Sequence, residues 1–252
     1  MQRALAVVIM AAGKGTRMNN PDIAKVMYTV AERPMVEHVV DLAHHLESSL
    51  TVAVVGWQKD SVITHLTGTG KAVVCVEQNP QLGTGHAVMQ AERELSGFVG
   101  DVLVLSGDVP LLSVATTRHL IDFHRSHPGA ATVLTAVLDD ATGYGRIVRN
   151  KDGQVVSIVE HKDANDEQKK IREINSGIYV FDKVQLFEGL RHITPDNAQK
   201  EYYLTDVFQY FWRHSLAVHA VPAVDPVEIQ GINTFQQLEQ ARAAYAARFA
   251  ER

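Results

Sequence analysis

Over the first 140 residues, short runs of Val, Ile, Leu and Ala alternate with longer amphipathic stretches. ALAVVIM (4–10), TVAVVG (51–56), AVVCVE (72–77), DVLVLS (101–106) and ATVLTAV (131–137) are apolar at consecutive positions rather than alternate ones. That pattern predicts strands covered on both faces. Between them, PMVEHVVDLAHHL (34–46), GHAVMQAEREL (85–95) and SVATTRHLIDFHRSH (113–127) read as helices, with Pro34 near the start of the first. Strand–helix alternation of this kind predicts an α/β fold with a doubly wound, mostly parallel sheet.

After about residue 140 the rhythm changes. GYGRIV (143–148), QVVSIVE (154–160) and NSGIYVF (175–181) read as short strands separated by turns and a polar loop, DANDEQKK (163–170). They predict a small antiparallel insertion beside the main sheet. EYYLTDVFQYFWRH (201–214) reads as one helix, LAVHAVPA (216–223) as a late strand, and 234–252, rich in Ala, Gln, Glu and Arg, as a C-terminal helix.

The 252 residues are 46% hydrophobic and 21% charged, enough chain for one large α/β domain or two small ones. A formal net charge of -5 leaves no broad basic face, so nucleic acid is not expected as a partner. The single cysteine, Cys75, cannot close an internal disulfide, which fits a reducing, cytoplasmic setting. The first residues, MQRALAVVIMAAG, have the charge and apolar stretch of a weak signal peptide. They run straight into GKGTR and are read instead as a strand and loop inside the domain. No run reaches the roughly 20 apolar residues that a spanning helix needs.

The chemistry starts at the end of the first strand. In open α/β sheets, ligands bind outside the carboxyl ends of the strands, which is where AVVIM delivers AAGKGTR. Gly13 and Gly15 permit a tight turn whose N–H groups can cradle phosphate, while Lys14 and Arg17 add charge. The spacing is neither a P-loop nor G-x-G-x-x-G, since Met18 holds the third glycine's place. In EQNPQLGTGHA (77–87), the Gln78 amide offers a donor and an acceptor to the edge of a base. Gly83 and Thr84 sit at a helix start, where N–H groups are free, although Thr84 would serve equally as a cap. VLVLSGDVPLL (102–112) ends a buried strand in Gly107 and Asp108. A carboxylate there suits Mg²⁺, which takes one or two carboxylates plus phosphates; a turn- or helix-capping aspartate is the alternative. No zinc or hydrolase-elbow pattern occurs.

AAGKGTRM followed by Lys25 resembles the signature of sugar-nucleotide pyrophosphorylases, with Met10 where that family usually has leucine and Ala24 where it usually has proline. QLGTGHA, SGD, GYG, EHKD, EINSG, EYYLTD and QGIN follow in family order over nearly the whole chain. The set is most similar to the N-terminal domain of bacterial bifunctional N-acetylglucosamine-1-phosphate uridyltransferases. The resemblance implies a Rossmann-like nucleotidyltransferase fold, with a uridyltransferase domain over 1–233 and a linker helix over 234–252. It also implies that the C-terminal acetyltransferase β-helix, and the trimer it builds, are missing, so that this chain is expected to be a monomer. The substrates implied are UTP and N-acetylglucosamine-1-phosphate, the product UDP-N-acetylglucosamine, and the cofactor Mg²⁺, held by Asp108 and Asn233.

Carried over residue by residue, Arg17 and Lys25 become the catalytic cations. Met10, Ala11, Ala12, Gly13, Lys14, Gln78, Gln81, Gly83, Thr84, Ser106 and Gly107 line the nucleotide side. Gly145, Glu160, Asn175, Tyr203 and Thr205 belong to the sugar side. An enzyme of different sugar or nucleotide preference, or a non-catalytic UTP-binding module, remains an alternative. A dinucleotide oxidoreductase would need the missing third glycine.

Overall fold

The structure is a computed structural model and describes residues 3–18, 20 and 22–250. Its strands are β1 (Ala4–Ala11), β2 (Thr29–Val30), β3 (Arg33–Pro34), β4 (Leu50–Val55), β5 (Val74–Glu77), β6 (Gly100–Ser106), β7 (Ala131–Val137), β8 (Gly145–Arg149), β9 (Val155–Val159), β10 (Glu173–Asp182) and β11 (Val218–Pro222). The helices are α1 (Met35–His45), α2 (Lys59–Gly68), α3 (Thr84–Met89), α4 (Val114–Ser126), α5 (Asp166–Lys169), α6 (Lys183–Leu190), α7 (Val207–Arg213) and α8 (Phe235–Ala250).

One twisted sheet runs β11-β7-β10-β6-β1-β4-β5. β1 pairs in parallel with β4 and β6, β4 with β5, and β7 with β11. β10 alone runs against its neighbours β6 and β7. The parallel strands therefore share one carboxyl edge, and the first residues of β10 lie at that same edge. β8 and β9 form a hairpin that joins the sheet where Asn175 faces Gly145. This is the doubly wound, mostly parallel α/β architecture that the alternation predicts.

The sheet is covered on both faces. On one, Val36, Val39 and Val40 of α1, Val62 and Leu66 of α2, and Leu120 and Ile121 of α4 pack on Val7, Ile9, Leu103 and Leu105. On the other, Val88, Leu186, Phe208 and Phe211 pack on Val8, Val52, Val102 and Val104. Burying each Val or Ile of β1 stabilises the fold by roughly 1.5–3 kcal/mol, which is why the strand reads as an unbroken apolar run. The helix ends follow the usual rules: Ser113 accepts from Thr116 N at the start of α4, and Asp182 from Val184 N and Gln185 N at the start of α6. α8 docks on a third cluster made by Met18, Val30, Met35, Leu111 and Ile232. Arg242 Nε donates to Thr29 O at 2.9 Å and Arg248 Nη1 to Leu111 O at 2.7 Å, holding the helix there. Residues 251–252 of the expected C-terminal helix lie outside the described residues. Among those described, no helix is long and apolar enough to cross a membrane.

Four expectations are corrected. AVVCVE is not covered on both faces: β5 is a sheet edge with Val74 exposed and Cys75 half-buried, and burial pushes the Cys75 thiol up from its ordinary range. The helix expected over 85–95 ends at Met89, and turns carry the chain to Gly97. NSGIYVF is not part of a separate insertion but a strand of the main sheet, where Phe181 and Val180 fill both faces. EYYLTDVFQYFWRH is not one helix: Tyr203 is extended, Leu204–Asp206 forms a 3-10 turn, and α7 begins at Val207.

Candidate active site

At the carboxyl edge, the loop after β1 crosses a pocket of about 620 Å³. Its lining comes from Met10 to Thr16, Lys25, the turn from Gln78 to Thr84, and Ser106 and Asp108. β1 and β6 pair through Met10 and Ser106, and Gly107 N donates to Met10 O at 2.9 Å, so both strand ends open into one place. The two loop glycines differ. Gly13 has nothing within 4 Å of where a Cβ would stand, and it lines the open pocket. Gly15 has φ +63°, and a Cβ there would stand 2.6 Å from Lys25 Cβ. Only glycine accepts both demands. Lys14 leans its ammonium over the Trp57 ring, 4.8 Å from the centroid.

Four polar side chains meet beside the loop. Lys25 forms an ion pair with Asp108 Oδ2 and also donates to Asn233 Oδ1 at 3.1 Å. Arg17 Nη2 donates to the same Asn233 oxygen at 2.7 Å. The Lys25 and Asp108 side chains are only 15% and 14% exposed, so water screens this pair weakly. Ile232 N donates to Asp108 O at 3.0 Å, and a side chain at Gly231 would stand 3.6 Å from both the Asp108 carboxylate and the Asn233 amide. Asn233 is thus brought to Asp108 by the turn before α8, while its own N–H donates to Gln237 Oε1 at 2.8 Å. Residues 17, 25, 108 and 233, far apart in sequence, form one patch.

The turn after β5 forms the pocket's other wall. Gln78 is buried, and its Nε2 donates to Gly83 O at 2.9 Å and faces His86 Nδ1 at 3.2 Å. Both amide hydrogens are therefore engaged inside the protein. The expectation that Gln78 offers donor and acceptor alike is corrected: its carbonyl oxygen is what is left for a base. Burial keeps His86 below the usual histidine range, which suits an acceptor Nδ1 facing Gln78. Gln81 Nε2 donates to Gln78 O at 3.2 Å. Gly83 has φ +110°, and its missing Cβ is what lets Tyr202 approach. Thr84 is the first residue of α3, not its cap, and its hydroxyl accepts from Leu204 N at 3.0 Å. That bond ties this turn to the EYYLTD segment.

A second group of polar residues lies along β8, β9 and the start of β10. Gly145 faces Asn175 in register, and a Cβ at Gly145 would stand 3.4 Å from Asn175 Cβ and 3.4 Å from Glu160 Oε2. Thr205 Oγ1 donates to Glu160 Oε1 at 3.0 Å. Burial, only partly offset by Thr205, pushes the Glu160 carboxyl above the usual carboxylate range. Asn175 is buried, donates from Nδ2 to the Tyr179 hydroxyl at 2.7 Å, and accepts from Gly177 N at 3.2 Å. Tyr203 is buried next to these groups, its phenol pushed up to about 12, chiefly by burial. This group borders the pocket where Gly177 approaches the Ser106 hydroxyl, 3.8 Å from the position of its absent Cβ, and where Thr84 holds Leu204.

Three contributors were missed in the sequence. His86 supports Gln78 and Tyr179 supports Asn175. Arg146, fully buried, donates to Tyr144 O and braces the GYGR turn. Nothing in a single sequence separates these from ordinary core residues, because their partners are set by tertiary contacts.

The nucleotidyl transferase family model matches residues 6–225. The chain is 46% identical over 245 residues to the bifunctional protein GlmU of Streptococcus suis (strain 98HAH33), covering 97% of this chain and 52% of that protein. It is also 46% identical over 237 residues to GlmU of Geobacter metallireducens, covering 94% and 49%. The chain thus spans about half the length of these curated relatives. Among solved structures, a UDP-glucose pyrophosphorylase complexed with UDP-glucose superposes with a TM-score of 0.75 at 18% identity, covering 98% of this chain and 100% of that one. A putative glucose-1-phosphate thymidylyltransferase from Bacillus anthracis gives 0.73 at 18%, covering 96% and 95%. At such identity the structures speak for the fold alone, whereas the family model spans most of the residues that build the site: the chain belongs to the nucleotidyl transferase family.

Proposed function

We propose that the chain joins UTP to N-acetylglucosamine-1-phosphate, giving UDP-N-acetylglucosamine and pyrophosphate. The observation that carries this reading is the patch of Arg17, Lys25, Asp108 and Asn233 beside an open glycine loop. Identity of 46% to two GlmU relatives, over 97% and 94% of this chain, supports the substrate pair.

The sugar phosphate oxygen attacks the α-phosphorus of UTP, and the bond to the bridging oxygen of pyrophosphate breaks. The attacking phosphate is already ionised, so no side chain need take a proton. What the protein supplies is position and positive charge for two polyanions. The N–H groups around Gly13, with Arg17 and Lys25, face the phosphates; the Gln78 carbonyl accepts from the uracil N3–H. Glu160, Asn175, Thr205 and the Tyr203 phenol face the sugar.

A divalent cation fits the donor set. The Asp108 carboxylate and the Asn233 carbonyl oxygen already converge on one positive group, the Lys25 ammonium. Mg²⁺ takes one or two carboxylates plus phosphates, and this set supplies one carboxylate and one amide oxygen. Asp108 and Asn233 would hold Mg²⁺, and when bound it would neutralise charge on the phosphates.

The test is product identification. The chain would be incubated with each of the four nucleoside triphosphates and a panel of sugar-1-phosphates, and the products read by ³¹P NMR. UDP-N-acetylglucosamine as the dominant product supports the reading; a different preferred sugar or nucleotide replaces it.

A further inference from the structure

The start of β10 contains an irregularity that the proposed reaction does not by itself explain. Asn175 pairs with Thr135 of β7, yet Tyr179, four residues on, pairs with Val133, only two residues away. Two extra residues are therefore looped out of β10 at the carboxyl edge, where bulges commonly re-aim a side chain. The loop is closed by local bonds. Ser176 Oγ donates to Leu134 O at 2.6 Å and accepts from Ile178 N at 3.1 Å, and Gly177 takes φ +80°. The Asn175 side chain spans the loop from Gly177 N to the Tyr179 hydroxyl.

We infer that Tyr179 is a positioning residue: its phenol fixes the plane of the Asn175 amide, and so sets the selectivity of the sugar subsite for an N-acyl group. The inference rests on the proposed function, in which Asn175 faces the sugar. An asparagine amide turns easily about its last torsion, so one contact leaves it free to rotate. Here Gly177 N–H requires an acceptor and so decides which end is oxygen. The Tyr179 oxygen takes one hydrogen of Nδ2 and decides the plane. One N–H of Nδ2 is left, held in a fixed direction as a donor for the carbonyl oxygen of an acylamino group. A bare hydroxyl ends two bonds short of that oxygen and does not reach the same donor. A site built to hydrogen-bond a group rejects the analogue lacking it because its own polar atoms are then left unpaired.

Tyr179 is anchored for this task. Its ring packs against Phe181 at 5.4 Å and Phe208 at 5.6 Å between centroids. Phe208 lies on α7, directly after the 3-10 turn that carries Thr205 to Glu160. The same aromatic cluster therefore backs Asn175 and Thr205 together. Burial, and then the Glu160 carboxylate, push the phenol above its ordinary range, so it remains a neutral hydroxyl throughout the working pH range.

The experiment is a double-mutant cycle on full kinetics with UTP and either N-acetylglucosamine-1-phosphate or glucose-1-phosphate. Tyr179→Phe keeps the ring and removes only the hydroxyl. It is expected to lower kcat/KM for the acetamido sugar by about 10-fold, the value of one buried hydrogen bond. The KM for UTP and the activity with glucose-1-phosphate should hold within twofold, so selectivity falls. In the Asn175→Ala background the same change should have no further effect on selectivity. Unchanged selectivity in Tyr179→Phe, with Asn175→Ala losing it, would overturn the positioning role while leaving the sugar reading intact. An equal loss with both sugars, or the same loss in the Asn175→Ala background, would mean a merely structural hydroxyl and would also overturn it. Unchanged selectivity in Asn175→Ala would remove Asn175 from the sugar subsite, and the inference with it.

Discussion

Gly13 and Gly15 of the loop after β1 should fail in different ways when each is changed to alanine. At Gly15 the added methyl meets three atoms of the Lys25 stem, at 2.6, 3.1 and 3.2 Å, the nearest being Cβ, which cannot move without the backbone. The residue also holds φ +63°, which costs a non-glycine residue roughly 1–2 kcal/mol. Overpacking of this kind costs about 1–3 kcal/mol more. Gly15→Ala is therefore expected to lose about 2–5 kcal/mol of stability, a fall in Tm on the order of 5–15 °C for a chain of this size. Lys25 is displaced at the same time, and a misplacement near 1 Å costs on the order of 100-fold in turnover. At Gly13 the methyl meets nothing within 4 Å and no positive φ is involved, but it projects where ligand would approach the loop. Gly13→Ala should hold Tm within about 2 °C and weaken UTP binding by about tenfold or more. Thermal unfolding and titration calorimetry with UTP read both effects. Equal Tm losses in the two variants, or a stable Gly15→Ala, would refute the geometry on which this rests.

Other outcomes follow from single contacts. Asp108→Asn should abolish Mg²⁺-dependent turnover, read as pyrophosphate release across a Mg²⁺ titration; near-normal activity would remove Asp108 from the metal site. Gln78→Ala should reduce the preference for UTP over CTP, because the free carbonyl oxygen of Gln78 matches the uracil N3–H; an unchanged ratio would show that Gln78 does not read the base. Burial, with Asp163 adding to it, pushes the Asp206 carboxyl up to about 6 from 3.8. The folded state then holds a proton that the unfolded state has lost, so this group lowers stability as pH rises from about 4 to about 6 and adds no slope above. Asp206→Asn should stabilise the protein at pH 7 by on the order of 1 kcal/mol, discounted for partial exposure, and flatten that window; a Tm–pH profile identical to the parent's would contradict it. Ala24 has φ -59°, within the range that proline fixes. Ala24→Pro should raise stability by about 0.4–1 kcal/mol in thermal unfolding, and a loss would mean that the ring does not fit this buried position.

The parallel half of the fold was legible because its strands are buried on both sides and its helices carry a periodic face. ATVLTAV marks β7 to the residue, and Pro34 and Ser113 stand at helix starts. The later half was harder for a physical reason: β10 has the composition of a short strand in either an insertion or a central sheet, and only its pairing with β6 and β7 decides. Edge position is equally silent, so the half-exposure of β5 was not foreseen. Within the site, residues that sit on strand ends announced themselves through glycines and charges. That Asn233 approaches Asp108 was legible only through the family pattern, since 125 residues of chain separate the two positions and the turn before α8 closes the gap. His86 and Tyr179 act on other side chains and Arg146 on a backbone carbonyl, and such residues carry no local signature.

The most direct measurement is pyrophosphate release from UTP and Mg²⁺, with and without N-acetylglucosamine-1-phosphate. The account predicts release that depends on that sugar phosphate, is far slower with glucosamine-1-phosphate, and disappears in Asp108→Asn. UTP binding without release in the presence of any sugar phosphate would contradict it, and would leave a nucleotide-binding fold that does not carry out the transfer.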